Sequence, residues 1–226
     1  MGDPGPGEPG EQLGSPGLRE ARWPASLAVL VILLLYVTLP ERLTFGPAWI
    51  IPVIGLAILV PLLVIVPHRH SKETRWQRFI GIGLIALLNL ANFVSLVLLV
   101  LSLLEGSKAT GGQLILSAAQ IWLTNVLIFA LWYWEFDSGG PGDRLSTSPG
   151  YADFLFPQKN TPGIAPPGWR PNFVDYLFLA FTNATAFSPT DVLPLTPWAK
   201  MLMLVQSLIS LLTVALVAGR AVNILK

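Results

Sequence analysis

The residues able to do chemistry are few, and they gather towards the C-terminal end of the chain. Gln206, Ser210 and Thr213 are spaced by four and then three positions in an apolar run. That rhythm puts one amide and two hydroxyls on a single face of a helix. Such a stripe can line a wet pathway or hydrogen-bond a neighbouring helix, and spacing alone leaves both uses open. Upstream, Thr185, Ala186, Phe187, Ser188, Pro189, Thr190 and Asp191 form an irregular polar segment. Pro189 withholds a backbone donor and disfavours helical geometry at Ser188. Asp191 places a carboxylate near the negative end of a preceding helix, a combination that attracts cations.

Other chemistry is missing or thin. The chain has no cysteine, which excludes disulfides, thiolate catalysis and cysteine-ligated metals. His68 and His70 flank Arg69 in a basic stretch with only Glu73 near them, which reads as a solvated loop and not a metal site. No histidine–carboxylate cluster or Ser–Lys pair lies in the apolar blocks, so no enzyme, metal or cofactor is expected. A net charge of +1 gives no basic surface for nucleic acid. Gln113, Ser117, Gln120 and Thr124 repeat the helical rhythm, as do Asn89 and Asn92, and both sets read best as contacts between helices. Arg220, near the end of its apolar run, reads as a side chain reaching for headgroups. The sequon Asn183-Ala184-Thr185 lies within an apolar stretch and is discounted as a glycosylation site.

The elements that must carry these residues are membrane elements. Hydrophobic residues make up 53 % of the chain and charged ones 12 %, about half the usual charged share of a globular protein. The apolar residues come in blocks, and a bilayer takes about 20 of them per helical span. Spans are expected at 25–39, 43–66, 79–104, 113–134 and 198–225. Pro47, Pro52 and Pro61 predict a kinked second span. Trp132, Tyr133 and Trp134 read as an aromatic headgroup boundary. Between the last two spans, 173–185 reaches only about 20 Å as a helix, too short to cross. Asn172 and Asp175 have the spacing of a capping box at its start. A short helix, a broken polar segment and a full span together predict a re-entrant loop.

The chain therefore divides into a Gly/Pro-rich tail at 1–22, expected to be disordered, and a four-helix membrane region at 23–134. A long extramembrane loop follows at 135–172, with Tyr151, Phe154 and Phe156 suited to folding back on the membrane surface, and 173–226 holds the re-entrant helix and last span. The fold class is all-α membrane protein, with about five transmembrane helices plus one re-entrant helix. Lysine and arginine concentrate before the first span and between the second and third. The positive-inside rule then puts the N-terminus, the long loop and the re-entrant segment on the cytoplasmic side.

Two resemblances bear on function. The run from Thr185 to Pro197 resembles the pore signature of tetrameric potassium channels, T-T-V-G-Y-G-D-x-x-P-x-T-P, at Thr185, Asp191, Pro194, Thr196 and Pro197. Ser188 and Thr190 stand at the glycine positions and Pro189 at the aromatic one, so the resemblance implies a pore loop with a filter not of the potassium type. It also implies a symmetric homo-oligomer, monovalent cations as the permeating species, and Gln206, Ser210 and Thr213 as pore-lining residues. It implies a pore loop facing outward, opposite to the charge rule, which is preferred here. Over most of its length the chain resembles a family of uncharacterised bacterial inner-membrane proteins. The likeness rests on Phe154-Leu155-Phe156-Pro157-Gln158 and the segment from Phe181 to Asp191. It implies a multi-pass protein of the inner (plasma) membrane and no particular activity. The expected function is an ion channel, with a non-conducting scaffold or sensor as the alternative.

Overall fold

Helices form where the apolar blocks lie, and their ends fall where capping groups and prolines put them. The computed structural model describes residues 22–65, 75–104, 110–145, 151–161, 163–166, 168–185 and 191–224. Residues 1–21 of the Gly/Pro-rich tail and the loop holding His68 and His70 lie outside them, as does the side chain of Arg220. Helix α1, Trp23–Val37, has a proline in its opening turn, where the missing donor would be unsatisfied anyway. It ends where the Thr38 hydroxyl turns back to the Leu34 and Leu35 carbonyls, at 3.0 and 2.9 Å.

Helix α2, Ile50–Ile65, corrects the expectation of a span from residue 43. A short 3-10 turn, Glu41–Leu43, comes first, then Gly46 in the left-handed region at φ +74°. The Thr44 hydroxyl, 3.0 Å from the Glu41 carbonyl and 2.8 Å from that of Gly46, holds this turn. Of the three prolines, Pro47 therefore precedes the helix, Pro52 falls in its first turn and Pro61 lies inside it.

Helix α3, Arg75–Leu104, begins before the expected residue 79 and takes Arg75 and Arg78 out of the loop. Helix α4, Gly111–Phe136, starts on a capping box in which Thr110 and Gln113 bond each other's backbone amides. It runs past Trp134, so Glu135 belongs to the helix and not to the loop. The long loop then carries a short strand β1, Phe154–Leu155, and a one-turn helix α5, Pro157–Asn160. Helix α6, Phe173–Thr185, has the expected bounds. Strand β2, Leu193–Pro194, leads into helix α7, Pro197–Ile224.

Three of these helices, α3, α4 and α7, are long and apolar enough to cross a membrane. Helices α1 and α2 are apolar but shorter, at 15 and 16 residues. They reach about 22–24 Å, against about 30 Å of hydrocarbon. Helix α4 is the centre of the bundle and packs on α1, α3, α6 and α7, while α6 lies against both α4 and α7. Helices α1 and α2 approach closely at Gly55, where a Cβ would fall 2.6 Å from Cδ2 of Leu33.

One end of the bundle collects the polar elements. Nε of Arg78, near the start of α3, lies 3.4 Å from the carboxylate of Glu135 at the end of α4. The two strands pair antiparallel at this end, Phe154 opposite Pro194 and Leu155 opposite Leu193. The chain thus leaves this end through α6 and is back at it by β2.

Candidate functional site

The polar face foreseen on α7 is real, and it is used up inside the chain. Gln206, Ser210 and Thr213 are 0, 1 and 1 % exposed. The Tyr133 hydroxyl of α4 donates to Oε1 of Gln206 at 2.6 Å, and Nδ2 of Asn183 on α6 donates to the same oxygen at 2.7 Å. Nε2 of Gln206 donates in turn to the Ala180 carbonyl of α6 at 2.8 Å. One carboxamide therefore joins three helices. One turn further along, the Trp122 indole donates to the Ser210 hydroxyl at 2.6 Å, and that hydroxyl donates to the Ala184 carbonyl at 2.7 Å. Thr213 bonds back to the Ile209 carbonyl of its own helix. Within the single chain this face is covered by α4 and α6. The Ala180 and Ala184 carbonyls and the Asn183 side chain of the short helix α6 find their partners on this face.

The two ends of α6 are fixed differently. At its start the capping box is present: Oδ1 of Asn172 accepts from the Val174 amide at 2.8 Å, and the Asp175 carboxylate accepts from the Asn172 amide at 2.7 Å. Phe173 meets Trp134 edge-on with ring centroids 6.2 Å apart. Its far end stops beside Ser210, about half-way along α7.

A second cluster ties the loop to the bundle. Asp137, just past α4 and fully buried, accepts from the Ser138 hydroxyl, the Asp153 and Phe154 amides and the Tyr176 hydroxyl of α6. The Asp153 carboxylate accepts from the Thr196 hydroxyl at 2.6 Å and from the Ser138 amide at 3.2 Å. The first carboxylate thus grips the entry to α6 and the second the entry to α7. Ser138 makes this possible by turning into the left-handed region at φ +56°, followed by Gly139 and Gly140. The buried Arg144 crosses the cluster, donating to the Trp134 and Asp137 carbonyls at 2.7 and 2.9 Å, with its guanidinium over the Tyr176 ring.

Of the filter-like segment, Thr185 and Asp191 are described; Ala186, Phe187, Ser188, Pro189 and Thr190 lie outside the described residues. Thr185 closes α6, its hydroxyl 3.1 Å from both the Phe181 and Thr182 carbonyls. Asp191 is exposed. Asn183 lies within α6 and its amide donates to Gln206 and the Met203 carbonyl.

Several residues of the site were not foreseen. Tyr133 is buried and faces α7, where the sequence had placed it at a headgroup boundary. Its place on the helical face of Phe129 and Asn125, at successive intervals of four residues, is the signal that would have turned it inward. Asp137 and Asp153 look like ordinary loop acids in the sequence, and their pairing arises only when the loop closes. On α4, Gln120 donates to Thr38 of α1 at 2.9 Å, the contact between helices expected of it.

The donors and acceptors of the α4–α6–α7 seam are amides, hydroxyls and one indole, which suits holding helices together and gives no nucleophile–base pair. Among the described residues no group of three or more His, Asp or Glu could hold a metal ion. No family model, curated protein or solved structure matches this chain. The likeness to potassium channels therefore rests on the quoted motif.

Proposed function

We propose that this chain is a multi-pass protein of the inner (plasma) membrane that crosses it five times, with α6 as a re-entrant helix, and that it acts as a non-conducting scaffold or sensor. The observation that carries this reading is the closure of the Gln206, Ser210 and Thr213 face within one chain. A pore of the potassium-channel type needs the polar face of its last helix to meet a central axis. Here that face is occupied by Tyr133, Asn183 and the α6 carbonyls, so an axis there would require breaking contacts already made.

Five crossings are supported by the end-to-end arrangement. The Arg78–Glu135 pair and the small sheet at one end require α3 and α4 to run in opposite senses, and α7 to leave from that end. Helices α1 and α2, short for the bilayer, are accommodated by local thinning at modest cost. Helix α6, at 13 residues, starts at the polar end and stops midway, which favours re-entry over crossing. The part of the molecule offered to partners is the loop, clamped by Asp137 and Asp153 to the entries of two helices. A force or ligand acting on the loop is thereby coupled to both.

Reconstitution tests the reading. Purified protein in liposomes is expected to give monovalent-cation flux no greater than protein-free vesicles. Flux that falls on Asp191→Asn would overturn it and restore the channel reading.

A further inference from the structure

Besides the loop, one side of the bundle is left open. A groove of about 450 Å³ runs between α3 and α7, with Leu90 and Phe93 on one wall, Val205 and Leu208 on the other, and Trp132 of α4 also lining it. Asn89 of α3 opens into this groove. Its carboxamide makes no hydrogen bond with any described residue. Asn92, one turn on, is buried and lies outside the groove. Asn89 stands midway along α3, about 21 Å from either end. With α3 crossing the membrane, that is the centre of the bilayer, where lipid offers only hydrocarbon. An amide left there needs a partner made of protein.

We propose that a second copy of this chain docks in the groove, the two α3 helices crossing about a two-fold axis with Asn89 bonded to Asn89. A carboxamide carries two donors and an acceptor, so two of them related by such an axis complete each other. Amides of this kind hydrogen-bond between membrane helices. The face around Asn89 suits the contact. Ala86, Asn89, Leu90 and Phe93 fall on one side of α3, at offsets of three, four and seven positions, and all line the groove. Ala86 is small and exposed, which lets two backbones approach. Leu90 and Phe93 are 61 and 51 % exposed in the single chain, and supply the bulk that enters the groove of the other copy. A lipid chain would match these apolar walls and still leave the Asn89 amide unpaired. The axis passes beside α3, so the closed face of α7 stays intact and the dimer forms no pore. The inference rests on the bilayer placement proposed above.

The chain has no cysteine, so single cysteines report on the contact in native membranes. Leu90→Cys, treated with a short lipid-permeant bis-maleimide, is expected to give a product of twice the chain's mass. Leu34→Cys on α1, equally exposed at 62 % for the native leucine, should give little. In the Leu90→Cys background, Asn89→Leu should lower the yield by roughly threefold or more. Asn89→Gln, which keeps donor and acceptor, should retain more of it than Asn89→Leu. Ala86→Leu adds bulk at an exposed position, is expected to fold, and should lower the yield as well. Cross-linking of Leu90→Cys no greater than that of Leu34→Cys would overturn the inference. So would a yield indifferent to Asn89→Leu, or equal losses with leucine and glutamine. A product of another mass would show a different protein in the groove and reject the second copy. Recovery of the chain in the soluble fraction would overturn the bilayer placement, and the inference with it.

Discussion

Tyr133 of α4 and Gln206 of α7 are 73 positions apart in sequence, yet hydroxyl and carboxamide oxygen are 2.6 Å apart and both residues are 0 % exposed. In a bilayer no water stands ready to replace such a bond, so its partners are exchanged only for other protein groups. Gln206→Leu should cost about 1–2 kcal/mol, the scale of a polar contact between membrane helices. Tyr133→Phe should cost about 1 kcal/mol. Because the two share one bond, the double variant should lose less than the sum of the singles. Thermal unfolding in detergent reads all three, and strict additivity would show that the bond contributes nothing.

The Asp137 cluster predicts a different failure. Asp137→Ala strands four donors, among them the Tyr176 hydroxyl and the Phe154 amide. Leaving buried donors unpaired costs about 1–3 kcal/mol per group, which the loop can reduce by opening to water. Hydrogen exchange at the Asp153 and Phe154 amides should therefore rise by roughly a hundredfold, while the amides of α4 stay protected. Unchanged exchange at these two amides would show that Asp137 does not hold the loop.

The absence of cysteine makes topology directly testable. Thr110→Cys at the start of α4 and Tyr151→Cys in the loop, where Tyr151 is 96 % exposed, lie at opposite ends of α4. A membrane-impermeant thiol reagent should label them from opposite sides of the membrane, with Tyr151→Cys on the cytoplasmic side. Labelling of both from one side would remove the fourth crossing.

The helices α3, α4 and α7, long and apolar enough to cross a membrane, were legible in the chain because long apolar blocks announce themselves by composition. The bounds of α6 could be read from Asn172, Asp175 and the apolar stretch between them and Thr185, since capping chemistry is local. The start of α2 could not. It depends on a turn held by the Thr44 hydroxyl and Gly46, which hydropathy does not register. The polar rhythm of Gln206, Ser210 and Thr213 was visible too, but a stripe does not say whether it faces water or protein. That was decided by Asn183 and Tyr133, on two other helices. Asp137 and Asp153 were invisible as a pair for the same reason: their geometry exists only once β1 has met β2.

Ser210 reports directly on whether the polar face of α7 is closed inside the chain. Ser210→Cys keeps the size of the side chain at a position packed between Trp122 and the Ala184 carbonyl. In native membranes, a small hydrophilic thiol reagent applied from either side should leave this cysteine unmodified, while Tyr151→Cys reacts promptly and Ser210→Cys reacts once the protein is denatured. Rapid modification of Ser210→Cys in the folded protein would mean that water reaches this face, and the closed, non-conducting reading would be contradicted.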